Sequence, residues 1–557
     1  MSVDWEGVLL AYLHDPPDKA LAIRGHERRA CRYLSAALGR EVQREELHGT
    51  EDQLASIAER LPMPTGRGAE GQVVGPEDGR LTVFHPLSGV SRTLEVDVSS
   101  QPDIESAIRE IVAPYSASRE RFHALWRLLP PSLAERAPAL DLLPADTRVP
   151  DHTIWHHLDI TAGLKAALDG RHGAAFLSFT LGPVQEFIES SQSVRDLWSG
   201  SMILSWLTFQ GMLPVIEQFG PTAIVYPALR GNPSLDLWLQ KELSLKVALP
   251  PADSRKAPCL PNRFLAVVPW DGKSAEGGSL ARACEERART AWRDLAGRVR
   301  NRLGALLTDQ GEASADWDAR WDRQIGDYFE FRTAVLPLRQ CDDEALVRLA
   351  GAERFDDAFP ELASVRRLAE AIPQAERPQY EQASAGRWQC QVDLSARLME
   401  AQRLVRHVPA SSPAELVPPK CSLMGSFEQM GPEGLEESSE FWERAGRVLR
   451  IGGVRLRRQE RLCAVALANR FSGPAYLAEA LGMEPGQLRF PDAATVAAAE
   501  WLHTASSRGF RLAPDDIRRK HGTWRGQWLH QPVPEGDDEE PAPAEVWLIR
   551  KKLQHQA

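Results

Sequence analysis

Four short apolar runs alternate with two long helical patterns between residues 174 and 338. The runs AAFLSFTL, TAIVYPA, RFLAVVP and YFEFRTAVLPL have the length and the β-branched and aromatic content of strands. Apolar residues at helical spacing fill GPVQEFIESSQSVRDLWSGSMILSWL after the first run and SLARACEERARTAWRDLAGRVRNRLGALL after the third. The order β-α-β-β-α-β predicts a ferredoxin-like unit, an antiparallel sheet with both helices on one face.

The segments on either side of this unit favour helices, so we predict an α+β multidomain protein. A chain of 557 residues has room for three or four domains. The predicted units are a helical domain at 1–172 with an inserted loop or hairpin at 62–100, the ferredoxin-like domain at 173–340, a mainly helical domain at 341–529, and an acidic, Pro-rich tail at 530–557.

Composition excludes some classes of protein. No run of about 18 apolar residues is present, and the N-terminus lacks the features of a signal peptide, which predicts a cytoplasmic protein without a membrane span. Seven scattered cysteines form no paired framework and predict reduced thiols. A net charge of −11 argues against a large nucleic-acid surface of its own, but it allows a local basic channel or a surface shared with partners.

The first helical pattern ends in a His-Asp pair. Trp5, Val8, Leu9, Tyr12 and Leu13 repeat at helical spacing, and the prolines of HDPPDK stop that helix. The pair at its end, His14 and Asp15, offers an imidazole and a carboxylate, ligands that suit Mn, Fe, Ni or Zn. A metal needs further ligands, and the candidates in the same domain are His26, Asp52, Glu59, His152 and His157. A metal held there would lower the pKa of a water so that hydroxide could attack a phosphodiester.

Seven segments occur in the order of one known family. HDPPDKAL, GHERRA, LASIAERL, PDHTIWHHL, GPVQEFI, VRDLWSGS and FPDAATVAAAEW resemble the large subunit of type III-B CRISPR-Cas effector complexes. The resemblance implies an HD-type nuclease domain that cuts single-stranded DNA with a divalent transition metal such as Mn²⁺ or Ni²⁺. It also implies a palm domain, the ferredoxin-like unit, which with a second palm makes cyclic oligoadenylates from ATP.

Residue by residue, the resemblance assigns the HD pair to His14 and Asp15 and places Lys19 in the family's HDPP-x-K string. The implied catalytic residues are these three. The resemblance and the candidates above together give the remaining predicted metal ligands, which are His26, Asp52, Glu59, His152 and His157. Glu59 stands where the family usually has Asp. The implied partners are the other subunits of the effector complex, a guide RNA and a target RNA.

The chain also departs from the family. It lacks the Gly-Gly-Asp-Asp signature of the second palm, so we expect either a separate chain that carries this palm or its loss, and ATP binding only with such a partner. The family's zinc ribbon needs two Cys-x-x-Cys pairs. Here Met424 stands where the second cysteine of the first pair, after Cys421, would be. Ala466 stands where the second cysteine of the other pair, after Cys463, would be. The ribbon is therefore degenerate, and we expect no structural zinc.

Three functions stay open from the sequence. The first is a metal-dependent nuclease for single-stranded DNA within an RNA-guided complex, which the HD residues favour. The second is a catalytically weak scaffold subunit, which the lost zinc ligands and second palm favour. The third is an HD phosphohydrolase for a small nucleotide, which the ferredoxin-like unit disfavours.

Overall fold

The computed structural model describes residues 3–488, except for 48, 60–76, 86–87, 89, 97–102, 146–151, 169–171, 271, 273–277, 309–316, 327, 339–341, 372–385, 406–418 and 458. The predicted acidic tail at 530–557, the end of the predicted helical domain at 489–529 and the FPDAATVAAAEW segment lie outside the described residues, as does much of the predicted insertion at 62–100.

The N-terminal region is helical and carries one hairpin. Its elements are α1 (Trp5–Tyr12), α2 (His26–Leu38), α3 (Thr50–Glu59), β1 (Arg80–Phe84), β2 (Ser91–Glu95), α4 (Ile104–Val112), α5 (Ser118–Arg136) and α6 (Ile154–Leu168). Strands β1 and β2 pair antiparallel and lie within the range predicted as an insertion.

A four-stranded sheet follows, built from β3 (Ala174–Gly182), β4 (Ile224–Tyr226), β5 (Arg263–Pro269) and β6 (Glu330–Pro337). The strand order is β4-β5-β3-β6, and every pairing is antiparallel. The first and third strands of the unit therefore lie in the centre, as in a ferredoxin-like βαββαβ unit. Phe179 of β3 stacks on Phe264 of β5, with ring centroids 4.9 Å apart.

Helices α8 (Val194–Phe219) and α11 (Ser279–Thr308) run between these strands and pack against each other. Helix α8 approaches the sheet closely at Gly211, where an added Cβ would lie 2.9 Å from the ring of Phe179. The long helix predicted from residue 182 is wrong in its first part. A short helix α7 (Gln185–Glu189) comes first, and α8 begins anew because the Ser193 side chain accepts a hydrogen bond from the backbone N–H of Asp196 and caps it.

Three further helices of this region were not predicted. They are α9 (Pro233–Leu243), α10 (Ala252–Arg255) and α12 (Trp317–Gly326). Helix α9 follows β4 and begins at Asn232, whose side chain accepts hydrogen bonds from two backbone N–H groups of its first turn.

The second face of the sheet packs on the N-terminal region. Ile160 and Leu164 of α6 share one apolar cluster with Phe176 of β3 and Val267 of β5, and Ala55 of α3 belongs to the same cluster. Helix α6 thus packs on the sheet and α3 packs on α6, which fixes the side chains that the two helices carry.

The C-terminal region contains mostly helices. Its elements are α13 (Asp343–Leu349), α14 (Phe355–Ala358), α15 (Pro360–Glu370), α16 (Arg387–Leu404), α17 (Leu435–Val448), β7 (Arg450–Ile451), β8 (Val454–Arg455), α18 (Ala464–Ser472) and α19 (Ala478–Ala480). Buried Arg470 of α18 pairs with Asp196 of α8 at 2.6 Å and with Glu460 at 2.9 Å, and so ties this region to the sheet domain. Among the described helices, none is both long and apolar enough to cross a bilayer.

Candidate metal centre

The end of α1 presents His14 to the interior. Residues Pro16 and Pro17 have no N–H and cannot continue the helix, so its last residue is Tyr12. The Nδ1–H of His14 donates to the carbonyl oxygen of Ala11 at 2.8 Å. This bond leaves the Nε2 lone pair of His14 directed away from its own helix, as a metal ligand requires.

Three predicted ligands from distant parts of the chain converge at this point. The Nε2 atoms of His14 and His157 lie 3.3 Å apart. The Oδ1 atom of Asp52 lies 3.5 Å from the first and 3.4 Å from the second. Of the residues that the structure describes, these three form a group whose ligand atoms all lie within 4.8 Å of one another. We call them the His14–Asp52–His157 cluster.

Asp15 borders this cluster and is held by Lys19. Its Oδ2 lies 3.7 Å from the Nε2 of both His14 and His157. The Nζ of Lys19 donates to the same Oδ2 at 2.5 Å. Burial opposes the charge of Asp15, but the neighbouring His14, Lys19 and His157 outweigh it and hold the pKa of this carboxyl below its usual range. Asp15 therefore carries a negative charge at neutral pH.

Asp52 is also anionic. Burial alone would raise the pKa of its carboxyl, but hydrogen bonds from His14 and His157 and their charges lower it far below the ordinary range. Its side chain is 41% exposed, so this edge of the cluster is open to solvent. The opening gives a substrate a way to reach the ligands.

The other predicted ligands lie farther out. The Nε2 of His26 is 3.8 Å from Oδ1 of Asp15, and its Nδ1–H donates to the carbonyl of Ile23. His152 packs its ring against His156, with centroids 6.0 Å apart, and is not in the group of three. Glu59 is the last residue of α3, and its side chain lies outside the described residues. Each of these three assignments stays a prediction.

The donor set fits a divalent transition metal. Two imidazole nitrogens and a carboxylate oxygen face one point, and a second carboxylate stands beside them. A cation between the two Nε2 atoms would bind both histidines and would also balance the negative charges of Asp52 and Asp15. Nitrogen and oxygen donors together suit Mn²⁺ and Ni²⁺ better than Ca²⁺.

The sequence did not predict the residues that brace this cluster. Arg230, in the loop after β4, donates from Nη2 to Asp159 of α6. Its Nε donates to the carbonyl of Trp126 in α5 at 2.9 Å, and its Nη2 lies 3.5 Å from the hydroxyl of Tyr12 in α1. The sequence contains one signal for this bracing. Asp159 lies in the largely apolar stretch after His157, where a carboxylate needs a cationic partner.

The first comparison matches part of the chain to a known family. Residues 176–297 match the family model described as CRISPR-associated protein Cmr2, N-terminal. The CRISPR system Cmr subunit Cmr2 of Pyrococcus furiosus is 29% identical in an alignment of 321 residues that covers 48% of this chain and 35% of that protein. The CMR subunit Cmr2 of Saccharolobus solfataricus is 34% identical over 103 residues, which are 18% of this chain and 10% of that protein.

Two solved structures of a type III-B Cmr-beta complex contain a chain with a similar fold. The apo state of a type III-B Cmr-beta complex contains a chain that matches with a TM-score of 0.59 at 17% identity, over 97% of this chain and 57% of the other. The same complex bound to cognate target RNA gives a TM-score of 0.55 at 16% identity, over 98% and 59%. These matches confirm the resemblance predicted from the ordered motifs, and this chain spans only part of each relative.

Proposed function

We propose that this chain, a relative of the large subunit of type III-B CRISPR complexes, is a subunit of such a complex. We also propose that it cuts single-stranded DNA in a metal-dependent reaction. The observation that carries the nuclease proposal is the convergence of His14, Asp52 and His157, whose ligand atoms lie within 4.8 Å of one another. Segments far apart in sequence bring these groups to one point, with a second carboxylate, Asp15, alongside.

The chain's own residues divide the work at this centre. His14 and His157 would hold the metal through Nε2, and Asp52 would add negative charge at the solvent side. A bound Mn²⁺ would supply a hydroxide near neutral pH and polarise a phosphate oxygen. Asp15 keeps Lys19 beside the cluster, at 2.5 Å. From there the ammonium group can contact an anionic phosphodiester oxygen of the DNA.

The partners are proposed from the relatives. Two structural neighbours are chains of a Cmr-beta complex, and in one of these structures the complex is bound to cognate target RNA. We therefore propose that this chain binds other subunits of an effector complex together with guide and target RNA. ATP binding by the ferredoxin-like unit, with a second palm from a partner, stays a prediction.

A nuclease assay on single-stranded DNA with Mn²⁺ tests the proposal. The wild-type chain should cut, and both the His14→Ala, Asp15→Ala double variant and His157→Ala should lose activity by about 100-fold or more, since they remove proposed metal ligands. The matched control is His156→Ala, because His156 is the adjacent residue on the same helix and is exposed. That variant should cut like the wild type.

The outcomes separate nuclease from scaffold. Cutting that survives in the double variant would come from a contaminant and contradict the proposal. A wild-type chain that binds Mn²⁺ and assembles with its partners without cutting would support the scaffold function instead. Hydrolysis of a nucleoside triphosphate in preference to DNA would support the small-nucleotide phosphohydrolase.

A further inference from the structure

Two short turns of the C-terminal region bring three sulfur atoms together in the protein core. The first turn contains Cys421 and Met424, and the second contains Cys463 and Ala466. Cys421 and Met424 are 4% exposed, and Cys463 is fully buried. The side chains of Cys421 and Cys463 lie close enough to shift each other's pKa. The Sγ of Cys463 lies 3.8 Å from the Sδ of Met424.

Both turns direct a backbone N–H at a cysteine sulfur. The N–H of Met424 donates to Sγ of Cys421 at 3.4 Å, and the N–H of Ala466 donates to Sγ of Cys463 at 3.4 Å. An N–H group directed at a cysteine sulfur stabilises negative charge on that sulfur once a metal ion has displaced its proton. The thiolate is the form of cysteine that binds metal ions.

The surrounding structure holds the two turns in place. The backbone N–H of Met430 donates to the carbonyl of Leu462 at 2.8 Å, which joins the two segments. Gln324 of α12 accepts a hydrogen bond from the backbone N–H of Ala464 at 2.8 Å and so anchors the second turn on the sheet domain. The sulfur positions therefore belong to a rigid, preformed arrangement.

These donors do not fit the structural zinc that the family resemblance implies. Structural zinc takes four ligands in a tetrahedron. Here Met424 offers a neutral thioether, and the methyl group of Ala466 offers no donor at all. The chain therefore supplies three sulfur ligands, two from cysteines and one from a thioether, and Ala466 supplies none.

We propose that Cys421, Met424 and Cys463 form a three-sulfur binding site for Cu(I). Thiolate and thioether ligands are soft and select Cu(I) among the common biological metals. Three sulfurs about 2.3 Å from one central ion, a usual metal–thiolate length, would be about 4 Å apart. The 3.8 Å between the sulfurs of Cys463 and Met424 agrees with that arrangement.

Tyr328 provides a second, independent observation at this site. Its side chain is 5% exposed, and its hydroxyl has no hydrogen-bond partner among the described residues. Burial and the nearby groups Glu186 and Cys463 raise the pKa of this hydroxyl, so Cys463 lies close enough to influence it. A buried hydroxyl without an acceptor is costly, and a metal-bound thiolate sulfur nearby would give it one.

The test is an anaerobic titration of the full chain with Cu(I) in competition with a chromophoric Cu(I) chelator. Three other thiols are first removed in a Cys31→Ser, Cys259→Ser, Cys341→Ser background, since Cys31 is half-buried, Cys259 is exposed and Cys341 lies outside the described residues. One equivalent of Cu(I) should bind. Cys463→Ser should abolish this binding, and Met424→Leu, which replaces the thioether by an alkyl group of similar size, should weaken it by about tenfold.

Two controls keep the result interpretable. Met430→Leu replaces another buried methionine of the same region and should bind Cu(I) like the background chain. X-ray absorption at the copper edge should give three sulfur neighbours in the background chain, which needs no variant to fold. Unchanged binding in Cys463→Ser, copper with two sulfur neighbours or with nitrogen neighbours, or Zn²⁺ displacing Cu(I) at equal concentration would each overturn the proposal.

Discussion

Arg230 and Asp159 form an ion pair that joins the sheet domain to the helix carrying His157. Arg230 follows β4, and Asp159 lies in α6, two residues after His157. The same guanidinium group reaches Tyr12 of α1, the helix that ends just before His14. One side chain of the sheet domain thus contacts both helices that supply the histidines, so Arg230 is a positioning residue for the metal centre.

Removal of this guanidinium group should lower both the stability of the protein and the Mn²⁺ affinity of the metal centre. Arg230→Met keeps the apolar bulk but leaves Asp159 and the hydroxyl of Tyr12 without their cation. We expect the free energy of unfolding to fall by about 3 kcal/mol, as for other ion pairs that lose one partner in a buried setting. Mn²⁺ affinity, measured by calorimetry at a temperature where the variant is folded, should fall as well.

Arg40→Met is the matched control for Arg230→Met. Arg40 pairs with Glu6 of α1 at 2.7 Å, but its side chain is 40% exposed. An exposed pair contributes less than about 1 kcal/mol, so this variant should keep its Mn²⁺ affinity. Equal losses of Mn²⁺ affinity in the two variants would show that Arg230 does not position the histidines.

Metal removal should destabilise the protein through the same cluster. Mn²⁺ at about 100 times its dissociation constant should add about 2.7 kcal/mol to the free energy of unfolding, because it binds only the folded state. Thermal denaturation with Mn²⁺ and with a chelator measures the difference. His157→Ala should show no such difference, and His156→Ala should show all of it. A Mn²⁺ effect that persists in His157→Ala would place the bound ion elsewhere.

Local patterns predicted most of the elements but not all of their ends. The prolines after Asp15 indicated where α1 ends, and strand β5 matches RFLAVVP residue for residue. The helix predicted from residue 182 is interrupted, because Ser193 offers a cap that competes with helix continuation. Helical periodicity does not register such a cap.

The sequence could predict which residues are candidate ligands, but not which of them converge. Imidazoles and acids in one helical domain are visible in the sequence, but the packing of α3 and α6 on the sheet decides that Asp52 joins the group and His152 does not. The bracing by Arg230 was missed for a related reason. Its partners come from three separate helices, and no spacing along the chain relates them.

His123 should make stability depend on pH. It is fully buried, and burial lowers its pKa to about 4, below the usual value of about 6.5 for an unfolded chain. Between these two values the unfolded chain binds the proton and the folded chain does not. The stability contributed by neutral His123 is therefore complete above pH 6.5 and is lost as pH falls toward 4.

A His123→Phe variant measures this contribution. Phenylalanine suits the surrounding rings of Trp5, Phe122 and Trp238 and cannot take up a proton. Between pH 7 and pH 5 the wild type should lose about 2 kcal/mol more than the variant in urea denaturation. Parallel losses in the two proteins would mean that His123 is protonated in the folded state.

Lys19 should have opposite effects on metal binding and on catalysis. Its ammonium group lies 2.5 Å from Oδ2 of Asp15, so it competes with a cation for that carboxylate. Lys19→Met removes this competition and should tighten Mn²⁺ binding by about tenfold, through lost repulsion between the two cations. The same change removes a cation beside the substrate phosphate and should slow DNA cleavage by about 100-fold.

Lys19→Arg keeps the charge and should retain most of the activity at wild-type Mn²⁺ affinity. Because a merely structural role would weaken both properties together, tighter metal binding with slower cleavage identifies Lys19 as a residue that acts on the substrate, and a parallel loss of both would exclude that role.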